Sequence, residues 1–221
     1  MSTLNNVVIW VGTGIILISF ILAILIPTEK TGYMKGFFFC PLISLLVSLN
    51  SISSRFFFLY PIEKNFLIQS ILQLGDLLFW ALFFLKILKD KKDYRKIQIL
   101  FTSTLLIAIY LIYFNRTNNP NLHIHALSNM CKTIFCIFFY NNLFKNLSNQ
   151  NILSEPSFWI VTGLIFYSCL SLPFYALNSY IKLQFSPLIF SNIFSISNML
   201  IIIMYLFFIK AFLCTIRLHK A

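Results

Sequence analysis

The sequence predicts an all-α polytopic membrane protein, a seven-helix transmembrane bundle with its N-terminus outside and its C-terminus in the cytoplasm. Three observations predict it. Hydrophobic residues fill 59% of the chain and charged ones 10%, too little polar surface to coat a water-soluble domain. The apolar residues gather into stretches of roughly 17 to 25, the length an α-helix needs to cross about 30 Å of hydrocarbon. The basic residues fall unevenly on the two sides of those stretches.

The spans expected, in order, cover residues 7–26, 36–52, 66–85, 97–114, 122–143, 158–177 and 188–208, within a single transmembrane domain of residues 1–221. The first has no Lys or Arg ahead of it and no small-residue cleavage site behind it, so it is expected to stay as a span. Its Gly12-Thr13-Gly14 lies inside an apolar run rather than after a strand, which points to close helix packing and not to a phosphate loop. Pro27, Pro61, Pro120, Pro156 and Pro187 fall between spans, where helices stop or begin. Pro41 and Pro173 fall inside spans and are expected to kink them. The Asn-rich segment 141–155 reads as an irregular or partly helical connector on the inner surface.

With the N-terminus outside, the cytoplasmic side holds Lys30, Lys35, Lys86, Lys89, Lys91, Lys92, Arg95, Lys96, Lys145, Lys210, Arg217 and Lys220. The outer side holds only Arg55, Lys64, Arg116 and Lys182, a clear positive-inside asymmetry that rests mainly on the short loop from Lys86 to Lys96. The net charge of +11 is thus an orientation signal and a contact with anionic headgroups. A nucleic-acid partner is not expected, since the Lys and Arg line no water-facing groove. Cys40, Cys131, Cys136, Cys169 and Cys214 form no CxxC pair and read as small buried hydrophobes, so no metal or cofactor is expected. No HExxH helix or GxSxG elbow occurs, and no catalytic residue is assigned.

The informative residues are those the bilayer should reject. Asp76 and Lys132 each sit ten residues into a span that enters from the outer side. At 1.5 Å per residue both lie about 15 Å deep, close to the bilayer centre. Leaving either charge against lipid costs roughly 2.5 to 3.5 kcal/mol on insertion scales, so the two are expected to pair inside the bundle. Gln69, Gln73 and Asp76 are spaced i, i+4, i+7, as are His125, Asn129 and Lys132, and again Ser191, Ser195 and Asn198. Each triad stays within roughly 60° on a helix. The expectation is an outward-facing polar pocket floored by Asp76, Lys132 and Asn198; the competing reading is interhelical hydrogen bonding alone.

The stretch Leu122-His123-Ile124-His125-Ala126-Leu127, followed by Glu155-Pro156-Ser157-Phe158-Trp159 and then Gly163 and Tyr167, resembles a group of small multi-span membrane proteins of Bacteroidetes-type bacteria. The resemblance covers the last three spans and implies a bacterial inner-membrane location. That group often carries a carboxylate where this chain has Asn129, so the resemblance implies no proton-carrying role at that position here. Two functions follow from the pattern. One is a sensor or membrane partner, in which the pocket binds a ligand and a separate cytoplasmic signalling protein reads helix movement at the Lys86 to Lys96 loop. The other is a small secondary transporter, against which stand the missing Pro-Gln pair and the lack of a repeat between the first and last three spans.

Overall fold

In the computed structural model the chain is all-helical. The structure describes residues 3–25, 37, 40–42, 44–46, 62–88, 91–114, 120–145, 152–177, 180, 181, 184 and 186–220. Six long helices appear among them: α1 (Thr3–Ile24), α2 (Ile62–Ile87), α3 (Lys91–Phe114), α4 (Pro120–Lys145), α5 (Pro156–Ala176) and α6 (Pro187–Lys220). A single 3-10 turn, Ile152–Ser154, precedes α5, and no strand occurs among the described residues. Most of the expected second span, 36–52, lies outside them.

Five of the helices, α1, α2, α3, α5 and α6, are long and apolar enough to cross a membrane, which makes this a membrane protein. The fourth helix has the length, 26 residues, but His125, Ser128, Asn129 and Lys132 lower its hydropathy, and it is not among the five. Large apolar side chains point outward along the bundle, Trp10, Ile18, Leu106 and Ile109 among them, the reverse of a soluble surface.

The helices start close to where the sequence places them, and two differ usefully in extent. The third begins at Lys91 rather than residue 97, so half of the expected basic loop is its first turn. There Asp93 is buried and accepts a hydrogen bond from Lys96 at 2.9 Å, an acid placed where the helix dipole favours it. The last helix runs to Lys220 instead of ending near residue 208, and its apolar stretch is Ser195–Arg217. Lys210 does not stop it, because the ammonium lies 5.7 Å over the Trp159 ring while the stem follows the helix. Trp159 in turn donates from Nε1 to the Leu153 carbonyl at 2.9 Å, tying α5 to the 3-10 turn.

Packing follows a chain of neighbours: α1 on α6, α6 on α5, α5 on α4, and α2, α3 and α4 on one another. The tightest approach is at Gly163 of α5, where a Cβ would stand 2.8 Å from Phe207 Cβ and 3.0 Å from the Met204 carbonyl oxygen of α6. Absence of a side chain is therefore what lets these two helices meet. The glycines of the first span do less. A Cβ at Gly12 would make ordinary contact with Ile202 at 3.6 Å, and one at Gly14 would meet nothing within 4 Å, so the close packing expected of that pair is not what the pair provides. Pro173 lies inside α5, three residues before its end, and its carbonyl accepts the Leu177 N–H at 2.9 Å.

The contrast among glycines is measurable. Gly163→Ala should destabilise the purified protein by about 1–3 kcal/mol, the usual cost of overpacking, whereas Gly14→Ala should fall within about 0.5 kcal/mol of the parent. Thermal unfolding in lipid nanodiscs checks both, and equal effects would refute the close α5–α6 contact.

Candidate functional site

The middle of the bundle holds one ion pair. The Lys132 ammonium on α4 donates to Asp76 Oδ2 on α2, and Trp80, one turn along α2, donates from Nε1 to Asp76 Oδ1 at 3.1 Å. Both carboxylate oxygens are thus engaged. The Lys132 side chain is 7% exposed and that of Asp76 23%. Each residue stands near the centre of a 26-residue helix, Asp76 fourteen positions after Ile62 and Lys132 twelve after Pro120.

Chain direction makes those depths equal. A helix of 24 residues is about 36 Å long, and the connections on either side of α3 are too short to span that distance back. Since α3 packs on both α2 and α4, the chain reverses twice, and α2 and α4 run in the same direction. One turn toward the N-terminal end of either helix is therefore one turn toward the same end of the bundle.

The two sides of the ion pair differ sharply. Toward the C-terminal ends of α2 and α4 lies an aromatic cluster. Phe37 touches Trp80 at 5.8 Å between centroids, Phe83 at 5.3 Å, Phe208 at 5.4 Å and Phe212 at 5.7 Å, all edge to face, and Phe84 meets Phe135 at 5.5 Å. These seven rings are each no more than 3% exposed. Such pairs contribute about 0.5–1.5 kcal/mol each beyond their burial; the indole N–H among them faces Asp76, and the buried Tyr205 packs on Phe208 at 5.2 Å.

Toward the N-terminal ends the interior is polar. Gln73, one turn before Asp76, is buried, and its Oε1 has no hydrogen-bond partner. Ser128, one turn before Lys132, is buried with Oγ in the same state. Further out, Asn129 Nδ2 donates to Ser171 Oγ of α5 at 3.0 Å, and the His125 ring stacks on Tyr175 at 4.6 Å and 12°. Ser197 of α6 donates to the Tyr175 hydroxyl at 3.3 Å. Gln69 is half-buried and engaged, and Ser195 is 1% exposed and engaged.

The expected ridges are thus present but do not all face one space. On α4, Lys132 turns to α2 while Asn129 and His125 turn to α5, where Thr133 lies 3.0 Å from Ser168 Oγ and Tyr140 2.8 Å from Thr162 Oγ1 in the same seam. Asn198 stands near the N-terminal edge of the Ser195–Arg217 stretch, level with the Ser197–Tyr175 contact. The α6 residue within electrostatic reach of Asp76 is the fully buried Tyr205, seven positions or about 10 Å further along. The side chain of Ser191 lies outside the described residues.

Sequence reasoning also passed over Trp80, Tyr175, Ser171 and Ser197. Trp80 had a signal, its i+4 spacing from Asp76. The other three are unremarkable in one dimension, since a serine or tyrosine in an apolar run does not announce its neighbour.

The two halves of the ion pair should not be equivalent. Asp76→Ala leaves the Lys132 ammonium buried without a counter-charge and should cost about 3–5 kcal/mol. Lys132→Ala should cost less, because Asp76 keeps the Trp80 bond and some exposure. The exchange Asp76→Lys with Lys132→Asp should fall between the parent and Asp76→Ala, restoring the pair but depriving the indole of its acceptor. Membrane abundance and thermal midpoints give the ranking, and two harmless alanine variants would remove the pair's structural role. No protein-family profile, curated protein or solved structure matches this chain.

Proposed function

We propose that the protein is a seven-span sensor or membrane partner of a bacterial inner membrane, N-terminus outside, whose outward-facing polar pocket ends at the Asp76–Lys132 pair. The observation that supports this reading best is the layer beside the ion pair: Gln73 Oε1 and Ser128 Oγ are buried without hydrogen-bond partners among the described residues, one turn before Asp76 and Lys132 and on the side away from the aromatic rings. Buried polar atoms left open next to a charge pair are what a binding site looks like before its occupant arrives.

Seven spans follow if α4 and the segment 36–52 cross along with the five apolar helices. The fourth helix crosses despite its polar residues because they turn to α2 and α5 rather than to lipid. The distribution of basic residues, twelve against four, sets the orientation.

Output leaves by the cytoplasmic end of α2 and the start of α3. Lys86, Tyr94, Arg95 and Lys96 are exposed there, while Lys96 is steadied by Asp93 and by the Phe138 ring at 5.5 Å. A cytoplasmic partner with an acidic face fits this surface. Trp80 links the two ends: its N–H holds Asp76 and its ring packs into the cluster with Phe37 and Phe208.

Cysteine accessibility tests the reading. In a variant free of native cysteines, Gln73→Cys and Ser128→Cys should react with a membrane-impermeant thiol reagent added outside intact cells, while Phe84→Cys and Phe135→Cys should not react from either side. Protection of the two outer positions would eliminate the pocket. Reaction of the two aromatic positions from the cytoplasmic side would indicate alternating access and favour a secondary transporter instead.

A further inference from the structure

The groups left open beside the ion pair define what the pocket would take, an inference that rests on the outward-facing pocket just described. An ammonium carries three N–H donors, and among the described residues that of Lys132 uses one, toward Asp76. Gln73 Oε1 is an acceptor without a donor. Ser128 Oγ is a hydroxyl with neither. Gln73 is three residues before Asp76 and Ser128 four before Lys132, and because α2 and α4 run in the same direction, both belong to the layer immediately outside the pair. Each is at least nine-tenths buried, so bulk water does not satisfy it.

Charge narrows the class. Lys132 and Asp76 neutralise one another, and no other ionised side chain among the described residues is buried in this half of the bundle. A ligand bearing net charge would bring into mid-bilayer a charge without a counter-ion, at a cost of several kcal/mol. A purely apolar ligand would leave the Gln73 carbonyl, the Ser128 hydroxyl and two Lys132 donors unpaired, each at about 1–3 kcal/mol. What fits is a molecule that accepts from Lys132 and donates to Gln73.

We propose that the layer formed by Gln73, Ser128 and Lys132 binds a small uncharged molecule carrying both a hydrogen-bond donor and an acceptor, of the amide or alcohol class. Its occupancy is felt at Trp80, because a ligand acceptor on a spare Lys132 N–H shifts the ammonium against Asp76 Oδ2, and the same carboxylate holds the indole through Oδ1.

The test uses the full chain labelled with 5-fluorotryptophan in lipid nanodiscs, with fluorine resonances for Trp10, Trp80 and Trp159 and that of Trp80 assigned by Trp80→Phe. Acetamide and glycerol are titrated as uncharged probes, acetate and tetramethylammonium as charged ones. The expected result is a saturable shift of the Trp80 resonance with acetamide or glycerol and none with the ions. In Gln73→Leu the apparent affinity should fall about five- to ten-fold, the equivalent of one hydrogen bond, with the Trp10 and Trp159 resonances unmoved to show that the fold persists. An equal or larger response to an ion, a response that Gln73→Leu leaves intact, or no response to either uncharged probe overturns the proposal. If the outer cysteines at positions 73 and 128 are reactive but the probes are silent, the ligand class alone fails; if they are protected, the pocket itself fails.

Discussion

A lysine and an aspartate at the centre of an apolar bundle impose more order on this protein than any other contact. Neither charge is tolerable against hydrocarbon, so each must find the other, and the requirement fixes relative depth, direction and facing of two helices at once. The third helix is placed by the same constraint, since it must carry the chain back between two parallel neighbours and packs on both. The fourth helix owes its position to its polar residues. One edge gives Lys132 to α2, another gives Asn129, Thr133 and Tyr140 to α5, and protein rather than lipid satisfies them. A helix of that composition would be a poor span alone.

The other half of the bundle is assembled by size and shape. Gly163 removes a side chain so that α5 can lie against Phe207 and the Met204 carbonyl, and Phe37 fills the gap between α2 and α6 with edge contacts to both. These two logics meet at Trp80. Its ring belongs to the aromatic cluster and its N–H to the carboxylate, so a change at Asp76 cannot be confined to the polar side.

Much of this was legible in one dimension. Matching depth and opposite charge predicted the pairing of Asp76 with Lys132, because insertion cost depends on depth and sign, and both can be counted along the chain. Helix starts at Pro120, Pro156 and Pro187 were legible because proline lacks the donor that a first turn does not use. The end of α6 was not. Lys210 looks like a boundary in sequence, but its ammonium rests on the Trp159 ring and the helix continues past Arg217. The ridges were legible as ridges, but a 60° sector on α4 is wide enough to serve two neighbours, and only packing decides that Lys132 faces one and Asn129 the other. That Gln73 and Ser128 are left open was invisible, since whether they are paired depends on residues far away in sequence.

In the proposed reading, an open layer at Gln73 and Ser128 beside a packed aromatic cluster suits a reporter rather than a conduit. A pathway for solute needs polar groups, or at least space, on both sides of its central site, whereas here the inner side is filled by rings packed edge to face. In the proposed reading the signal passes without opening that seal. The Asp76 carboxylate divides its oxygens between the ammonium that faces the pocket and the indole that faces the cluster, so a shift of the Lys132 ammonium changes what Trp80 is held by. Trp80 lies six residues from Lys86, about 9 Å along a continuous helix, and a small rotation of α2 at the indole is a displacement of its basic end. In that reading a rigid helix and a single shared carboxylate connect the proposed outer pocket to the basic surface at the end of α2.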